Sequence, residues 1–178
     1  MPIDKKGYIA VICGEGKGKT TSMIGQAVRA AGKGLRTCII QFLKDTNTGE
    51  YQSISRYMPH INLYVCGPDG KITFNRNKDP RDGLLAQRGW EFVKDNSPNY
   101  DVMILDEFLT TLDFEGGLKF IPVKEVTDWL DNKPLLPYVF MSGVYVPEEI
   151  KERAGLISRI EQEKHWFPKV LARQGIEF

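Results

Sequence analysis

The amino-acid sequence predicts an α/β fold, a mostly parallel sheet flanked by helices in a single domain over residues 1–178. Three observations carry this. Five short apolar runs, YIAVIC (8–13), TCIIQF (37–42), INLYVC (61–66), DVMILD (101–106) and YVFMSG (138–143), lack polar alternation and so suit strands buried on both faces. Between and after them lie segments that read as helices, at about 19–32, 50–58, 80–96, 122–131 and 147–154. Strand–helix alternation of this kind builds a parallel sheet with right-handed crossovers. The 178 residues, 42% of them hydrophobic, make one domain large enough to bury roughly two-thirds of its unfolded surface, and no repeat, low-complexity tract or linker divides them.

In chain order, the first run leads into a glycine-rich stretch, and a helix starts near Lys19. The second run passes into the polar QFLKDTNTGE (41–50) and the next helix. After the third comes the most loop-like segment, CGPDGKITFNRNKDPRDG (66–83), placed where α/β folds bind ligands. The fourth ends in two carboxylates, Asp106 and Glu107, and the fifth in Ser142-Gly143-Val144.

Charge and cysteine content exclude several classes. The net charge of +1 arises from 24 basic and 23 acidic residues mixed along the chain, so no global field favours nucleic acid or an acidic membrane, and an anion must be caught locally. Cys13, Cys38 and Cys66 are odd in number and sit in apolar runs, which reads as buried, reduced thiols of a cytoplasmic protein. No span approaches the roughly 20 apolar residues of a membrane helix, and Met1 to Lys6 is too short and polar for a signal peptide.

The chemistry starts at GEGKGKTTS (14–22). A phosphate-binding loop has Gly, four residues, then Gly-Lys-Ser/Thr, which would put its first glycine at position 13, where this chain has cysteine. The context is nonetheless that of a phosphate loop: Gly14, Gly16 and Gly18 lie between a buried strand and a helix, where backbone N–H groups and the helix dipole face an anion. Glu15 and Lys17 fill the loop, Lys19 would neutralise phosphate charge, and Thr20, with Thr21 beside it, would offer a hydroxyl to Mg²⁺. In VMILDEF (102–108), Asp106 and Glu107 stand where P-loop proteins keep the acid that organises Mg²⁺. A glutamate there also serves ATP hydrolysis, so the two motifs leave hydrolysis and transfer both open.

Taken together, GEGKGKTT (14–21), QFLKDTNTGE (41–50), ILDEF (104–108), KHWF (164–167) and ARQGIEF (172–178) resemble, in order and spacing, the P-loop family of ATP:corrinoid adenosyltransferases. In that family the shifted first glycine is the normal form. The resemblance implies a RecA-like P-loop fold and a reaction in which the Co(I) of a corrinoid attacks C5′ of ATP and expels triphosphate. It implies that ATP lies along the loop in the reverse sense. Lys19 and Glu107 are then the catalytic candidates, Thr20, Asp106 and Glu107 the Mg²⁺ candidates, and Lys44, Glu50 and Phe74 the corrinoid candidates. It implies a homodimer and an outside flavoprotein reductase, since nothing in the chain resembles a flavin or iron–sulfur site. His165 has a counterpart in the family, whereas His60 reads as structural. Trp90, Trp129 and Trp166 read as residues that pack in helices or at an interface.

The closing third departs from the family. Thr-Gly-Arg becomes Ser142-Gly143-Val144, and the Ala-Asp and Thr-Glu positions become Ala154-Gly155 and Ser158-Arg159. Valine cannot supply an arginine's charge or donors, which leaves Lys17, Lys44 and Arg159 as cations to replace it. Three readings stay open on the residues: the adenosyltransferase, a P-loop ATPase or small-molecule kinase, and a non-catalytic nucleotide- or corrinoid-binding homologue.

Overall fold

The computed structural model describes residues 8–68, 80–133, 137–166 and 168–176, so Phe74 and most of the 66–83 segment lie outside the described residues. The elements are β1 (Ile9–Cys13), α1 (Lys19–Ala31), β2 (Thr37–Phe42), α2 (Gly49–Tyr57), β3 (Ile61–Cys66), α3 (Pro80–Asn96), β4 (Val102–Asp106), β5 (Leu112–Asp113), β6 (Ile121–Pro122), α4 (Val123–Asn132), β7 (Tyr138–Gly143), α5 (Glu148–Lys151) and β8 (Leu156–Arg159). Six strands form one sheet in the order β3-β2-β4-β7-β1-β8, all paired in parallel. The short β5 and β6 pair separately.

The sheet divides the apolar side chains by their alternation. On one face Ile39 and Ile104 pack with Met23 and Ala27 of α1 and Ile54 of α2. On the other Cys38, Ile40, Met103 and Leu105 meet Trp90 and Val93 of α3 and Val126 and Leu130 of α4. Trp90 stacks on Phe108 at 5.2 Å and takes the edge of Trp129 at 5.3 Å between ring centres, so two of the three tryptophans are packing residues. Trp166 is exposed, with Arg173 over its ring.

Three expectations are corrected. The 61–66 run is not buried on both faces: β3 is a sheet edge, and within it only Ile61 is fully buried. That edge position also leaves Cys66 only partly buried, unlike Cys13 and Cys38. The predicted helix at 147–154 closes after Lys151, because the chain must turn to lay Leu156 beside Ala10, a junction held by the Gly155 N–H donating to the Ile9 carbonyl at 2.9 Å. The strand that follows, β8, was not foreseen.

Candidate functional site

The phosphate-loop candidate lies at the carboxyl end of β1, between two other strand ends. The Gly14 N–H donates to the Val144 carbonyl at 3.0 Å and the Gly16 N–H to the Ile160 carbonyl at 3.0 Å, while the Ile160 N–H donates back to the Cys13 carbonyl at 2.8 Å. Val144 therefore borders the loop, as its strand-end position predicts, and contributes its main chain there. Cys13, the residue in the place of the usual glycine, is the fully buried last residue of β1.

The chain after β8 dictates the glycines. Gly14 has φ of +107°, and a Cβ there would lie 2.2 Å from the Ile160 carbonyl oxygen; at Gly16 it would lie 2.7 Å from that of Glu161. Gly14→Ala combines backbone strain with overpacking and is expected to cost about 2–4 kcal/mol in urea unfolding. Gly25→Ala in α1, where a Cβ meets nothing within 4 Å, is expected to stabilise by about 0.5–1 kcal/mol. Equal effects at the two sites would show that the Ile160 contact does not hold the loop.

Gly18, with φ of +123°, turns the loop into α1, whose first residues are Lys19 and Thr20. Lys19 Nζ donates to the Gly16 carbonyl at 3.0 Å, so the lysine closes over its own loop. Thr20 faces the end of β4. Its hydroxyl donates to Asp106 Oδ1 at 3.2 Å and accepts from Lys44 Nζ at 2.7 Å.

Asp106 is wholly buried and accepts four hydrogen bonds. Besides Thr20, Ser142 Oγ reaches Oδ1 at 2.8 Å, and Gln41 Nε2 and Lys44 Nζ reach Oδ2 at 3.1 and 2.8 Å. Burial by itself would push this carboxyl up, but the Lys44 ammonium, with the hydrogen bonds from Lys44, Ser142 and Gln41, outweighs it and holds Asp106 below its ordinary 3.8. Burial likewise works against the Lys44 charge, and Asp106, with Glu50 and Glu107, holds it above 10.5. Both groups are ionised at neutral pH.

Strand ends aim these groups. Leu43, with φ of +61°, and Glu107, with φ of +57°, are non-glycine residues in the left-handed region, directly after β2 and β4. Such strain persists only where the surroundings enforce it. Leu43 is held by its N–H donating to the Cys66 carbonyl at 3.0 Å, and Gly67 packs so closely that a Cβ would lie 2.5 Å from the Lys44 nitrogen. At Glu107 the amide donates to Ser142 Oγ at 2.9 Å and the carboxylate accepts from Thr110 Oγ1 at 3.0 Å. Ser142 thus fixes both acids, a role that nothing in the sequence pattern marked beyond its place in the Ser-Gly-Val departure.

Of the predicted site residues, the structure brings together Thr20, Lys44, Glu50 and Asp106, with Lys19 and Glu107 next in the chain to Thr20 and Asp106. Lys44 and Glu50 lie 3.4 Å apart, Glu50 also accepts from Gln41 at 3.1 Å, and the pair stands beside Thr20 and Asp106. Glu15 and Lys17 point outward, Glu15 accepting from the Tyr145 hydroxyl at 3.3 Å and Lys17 donating to the Ile176 carbonyl. Thr21 is exposed. Arg159 is exposed on β8, in register with Cys13. His165 lies beside Trp166, and His60 is exposed at the opposite end of the sheet, lining a cavity with Arg36 and Asn62.

Among the described residues no three His, Cys, Asp or Glu side chains form a metal cluster. The oxygens of Thr20, Asp106 and Glu50 nevertheless converge on one cation, the Lys44 ammonium, and Gln41 Oε1 beside them is buried without a hydrogen-bond partner. A few hard oxygen donors next to a phosphate loop suit Mg²⁺, which takes one or two protein ligands and completes its shell with water and substrate phosphate.

The family model described as ATP:corrinoid adenosyltransferase BtuR/CobO/CobP matches residues 5–178. The chain belongs to this family of transferases. The corrinoid adenosyltransferase of Sinorhizobium sp is 31% identical over 180 residues, covering 98% of this chain and 82% of that protein. Corrinoid adenosyltransferase CobA of Salmonella typhimurium is 30% identical over 178 residues, with 98% and 87% covered. The fold is shared with the flagellar accessory protein FlaH of Methanocaldococcus jannaschii, which superimposes with a TM-score of 0.52 at 13% identity, over 88% of this chain and 72% of that one. Among the described residues no helix is long and apolar enough to cross a membrane.

Proposed function

We propose that the chain transfers the 5′-deoxyadenosyl group of ATP to the Co(I) of a corrinoid and releases triphosphate. The observation that carries this is the contact of Thr20, next to Lys19 at the start of α1, with Asp106 at the end of β4, in a chain that matches the family over residues 5–178. The electron pair of Co(I) forms the bond to C5′, the C5′–O5′ bond breaks, and its electrons leave on the triphosphate, so cobalt is formally oxidised to Co(III).

Charge therefore grows on the leaving phosphate, and the protein's task is to stabilise it without supplying a base. Lys19, released from the Gly16 carbonyl, offers a charge-assisted hydrogen bond to the triphosphate. Thr20 and Asp106, with Glu107 and Glu50 near, would hold Mg²⁺, which supplies charge neutralisation of the triphosphate when bound. Ser142 keeps Asp106 and Glu107 in place. Phe74 is a candidate contact for the corrinoid, an outside reductase of flavoprotein type supplies the electron that makes Co(I), and the working unit is a homodimer.

Incubation of the protein with ATP, Mg²⁺ and chemically reduced cobalamin tests this. The expected products are adenosylcobalamin and intact triphosphate, with negligible ATP hydrolysis when corrinoid is absent. ADP and orthophosphate in their place would assign an ATPase or kinase, and nucleotide binding without any product a non-catalytic homologue.

A further inference from the structure

Lys44 holds the position that a divalent cation would need. Its ammonium lies 2.7 Å from Thr20 Oγ1, 2.8 Å from Asp106 Oδ2 and 3.4 Å from Glu50 Oε1. The first two are the oxygens assigned above to Mg²⁺. They cannot face an ammonium and a metal ion at once, because the two cations would repel at contact distance in a site whose carboxylate is fully buried.

We propose that Lys44 is a built-in counter-ion that occupies the Mg²⁺ position of the nucleotide-free protein and is displaced when the metal enters with its nucleotide. This rests on the Mg²⁺-nucleotide reading of the site.

Several features fit a group built to leave. Asp106 cannot stand bare: with Lys44 gone, Oδ2 keeps only the Gln41 amide, and an unpaired buried carboxylate is costly. A resident cation satisfies that carboxylate. The Lys44 side chain is 21% exposed, whereas that of Asp106 is 0% exposed, so the lysine lies on the solvent side of the pair. The backbone beneath it is fixed, with Leu43 locked at φ of +61° and Gly67 pressed against Lys44, so the exchange requires only the flexible four-carbon stem to swing. Thr20 opens the helix that leaves the loop, so a displaced ammonium stays beside the bound phosphates and offsets part of their charge. Metal entry and delivery of a second cation to the leaving group become one event.

The test uses the full chain with Mg²⁺ alone, without nucleotide or corrinoid. Thermal unfolding is followed across a magnesium titration for the parent, Lys44→Met, Lys44→Gln and the double variant Lys44→Met/Asp106→Asn. Without metal, Lys44→Met is expected to melt about 5–10 °C below the parent, from loss of the buried ion pair. Added Mg²⁺ should restore most of that loss, with half-saturation at a concentration about tenfold or more below any response of the parent. Lys44→Gln, which keeps a donor for Asp106, should show a smaller loss and the same metal response. The double variant should not respond. Equal magnesium responses in parent and Lys44→Met, or a Lys44→Met that neither loses stability nor gains metal affinity, would overturn the proposal. A Lys44→Met chain that folds only with Mg²⁺ supports it, and one that folds under neither condition while Lys44→Gln folds without any metal response overturns it. The product assay separates the two readings, because triphosphate release by the parent stands whichever way this titration falls.

Discussion

Replacing Lys19 with alanine is expected to lower kcat/KM for ATP by about 100-fold or more, the usual loss when one preorganised donor to a developing negative charge is removed. The folded state should barely change. Lys19 makes one hydrogen bond, to the Gly16 carbonyl at 3.0 Å, in a loop already pinned by Gly14 to Val144 and Gly16 to Ile160. Loss of a single such bond at a half-buried position is worth about 1 kcal/mol or less. The free-energy loss therefore falls on the bound nucleotide and the transition state. Calorimetric titration with MgATP and urea unfolding of the same variant separate the two. A variant that binds and turns over like the parent would reduce Lys19 to a brace of its own loop, and a variant that unfolds several kcal/mol more easily would make it structural.

Lys19→Arg should not rescue in full. Arginine keeps the charge, yet its planar fork replaces a compact ammonium that has to fit under the loop. A partial return of affinity without the parent's rate would place the value of Lys19 in its geometry as well as its charge.

Much of this site was legible before any coordinates. The phosphate loop, the acids after β4 and the polar turn after β2 were each marked by residue type at the end of an apolar run, and parallel topology puts such ends on one rim. Local sequence does not encode the register that closes the loop. Nothing in Leu156 to Arg159 signals a strand: four exposed residues pair with β1 only because Ala10 to Cys13 leave that edge open. Hence the sequence does not show that Gly14 and Gly16 must also clear the main chain of Ile160 and Glu161.

The same limit applies to side-chain partners. Lys44 and Glu50 were visible as polar residues after a strand, and sequence spacing within one loop says nothing of which neighbouring strand they face. Their association with Thr20 and Asp106 follows from β2 lying beside β4, which is a property of strand order. Gln41 was hidden for another reason. It occupies a wholly buried position behind Cys38, Ile39 and Ile40, and only the neighbouring carboxylates of Asp106 and Glu50 explain an amide there.

Asp106→Asn carries the largest expected effect on the fold and the site together. The substitution keeps shape but removes the charge that four donors surround. One of its two terminal atoms becomes an NH₂ group. Turned toward Lys44 and Gln41 it would set donor against donor, so it must face the Ser142 and Thr20 hydroxyls, which can rotate to accept. Ser142 already accepts from the Glu107 amide and Thr20 from Lys44, so that rotation is constrained. The Lys44 ammonium meanwhile keeps Glu50, at 3.4 Å, and the more distant Glu107 as counter-charges. Breaking one side of a buried pair costs about 3–5 kcal/mol, and the partial solvent access of Lys44 brings the expected loss to about 2–4 kcal/mol in urea unfolding at neutral pH. The sign with pH follows from the carboxyl being held below 3.8 in the folded chain: its contribution is present above that value and is lost as pH falls through the lower folded value. The gap between parent and variant should therefore close in acid and stay open at neutral pH. Adding Lys44→Met to the variant removes the stranded charge and should recover part of the stability, but Mg²⁺-dependent nucleotide binding should stay lost, because the oxygen that would hold the metal is gone. A single variant as stable as the parent at neutral pH, still binding MgATP with the parent's magnesium dependence, would show that Asp106 is a buried structural acid and would move the metal to Glu107.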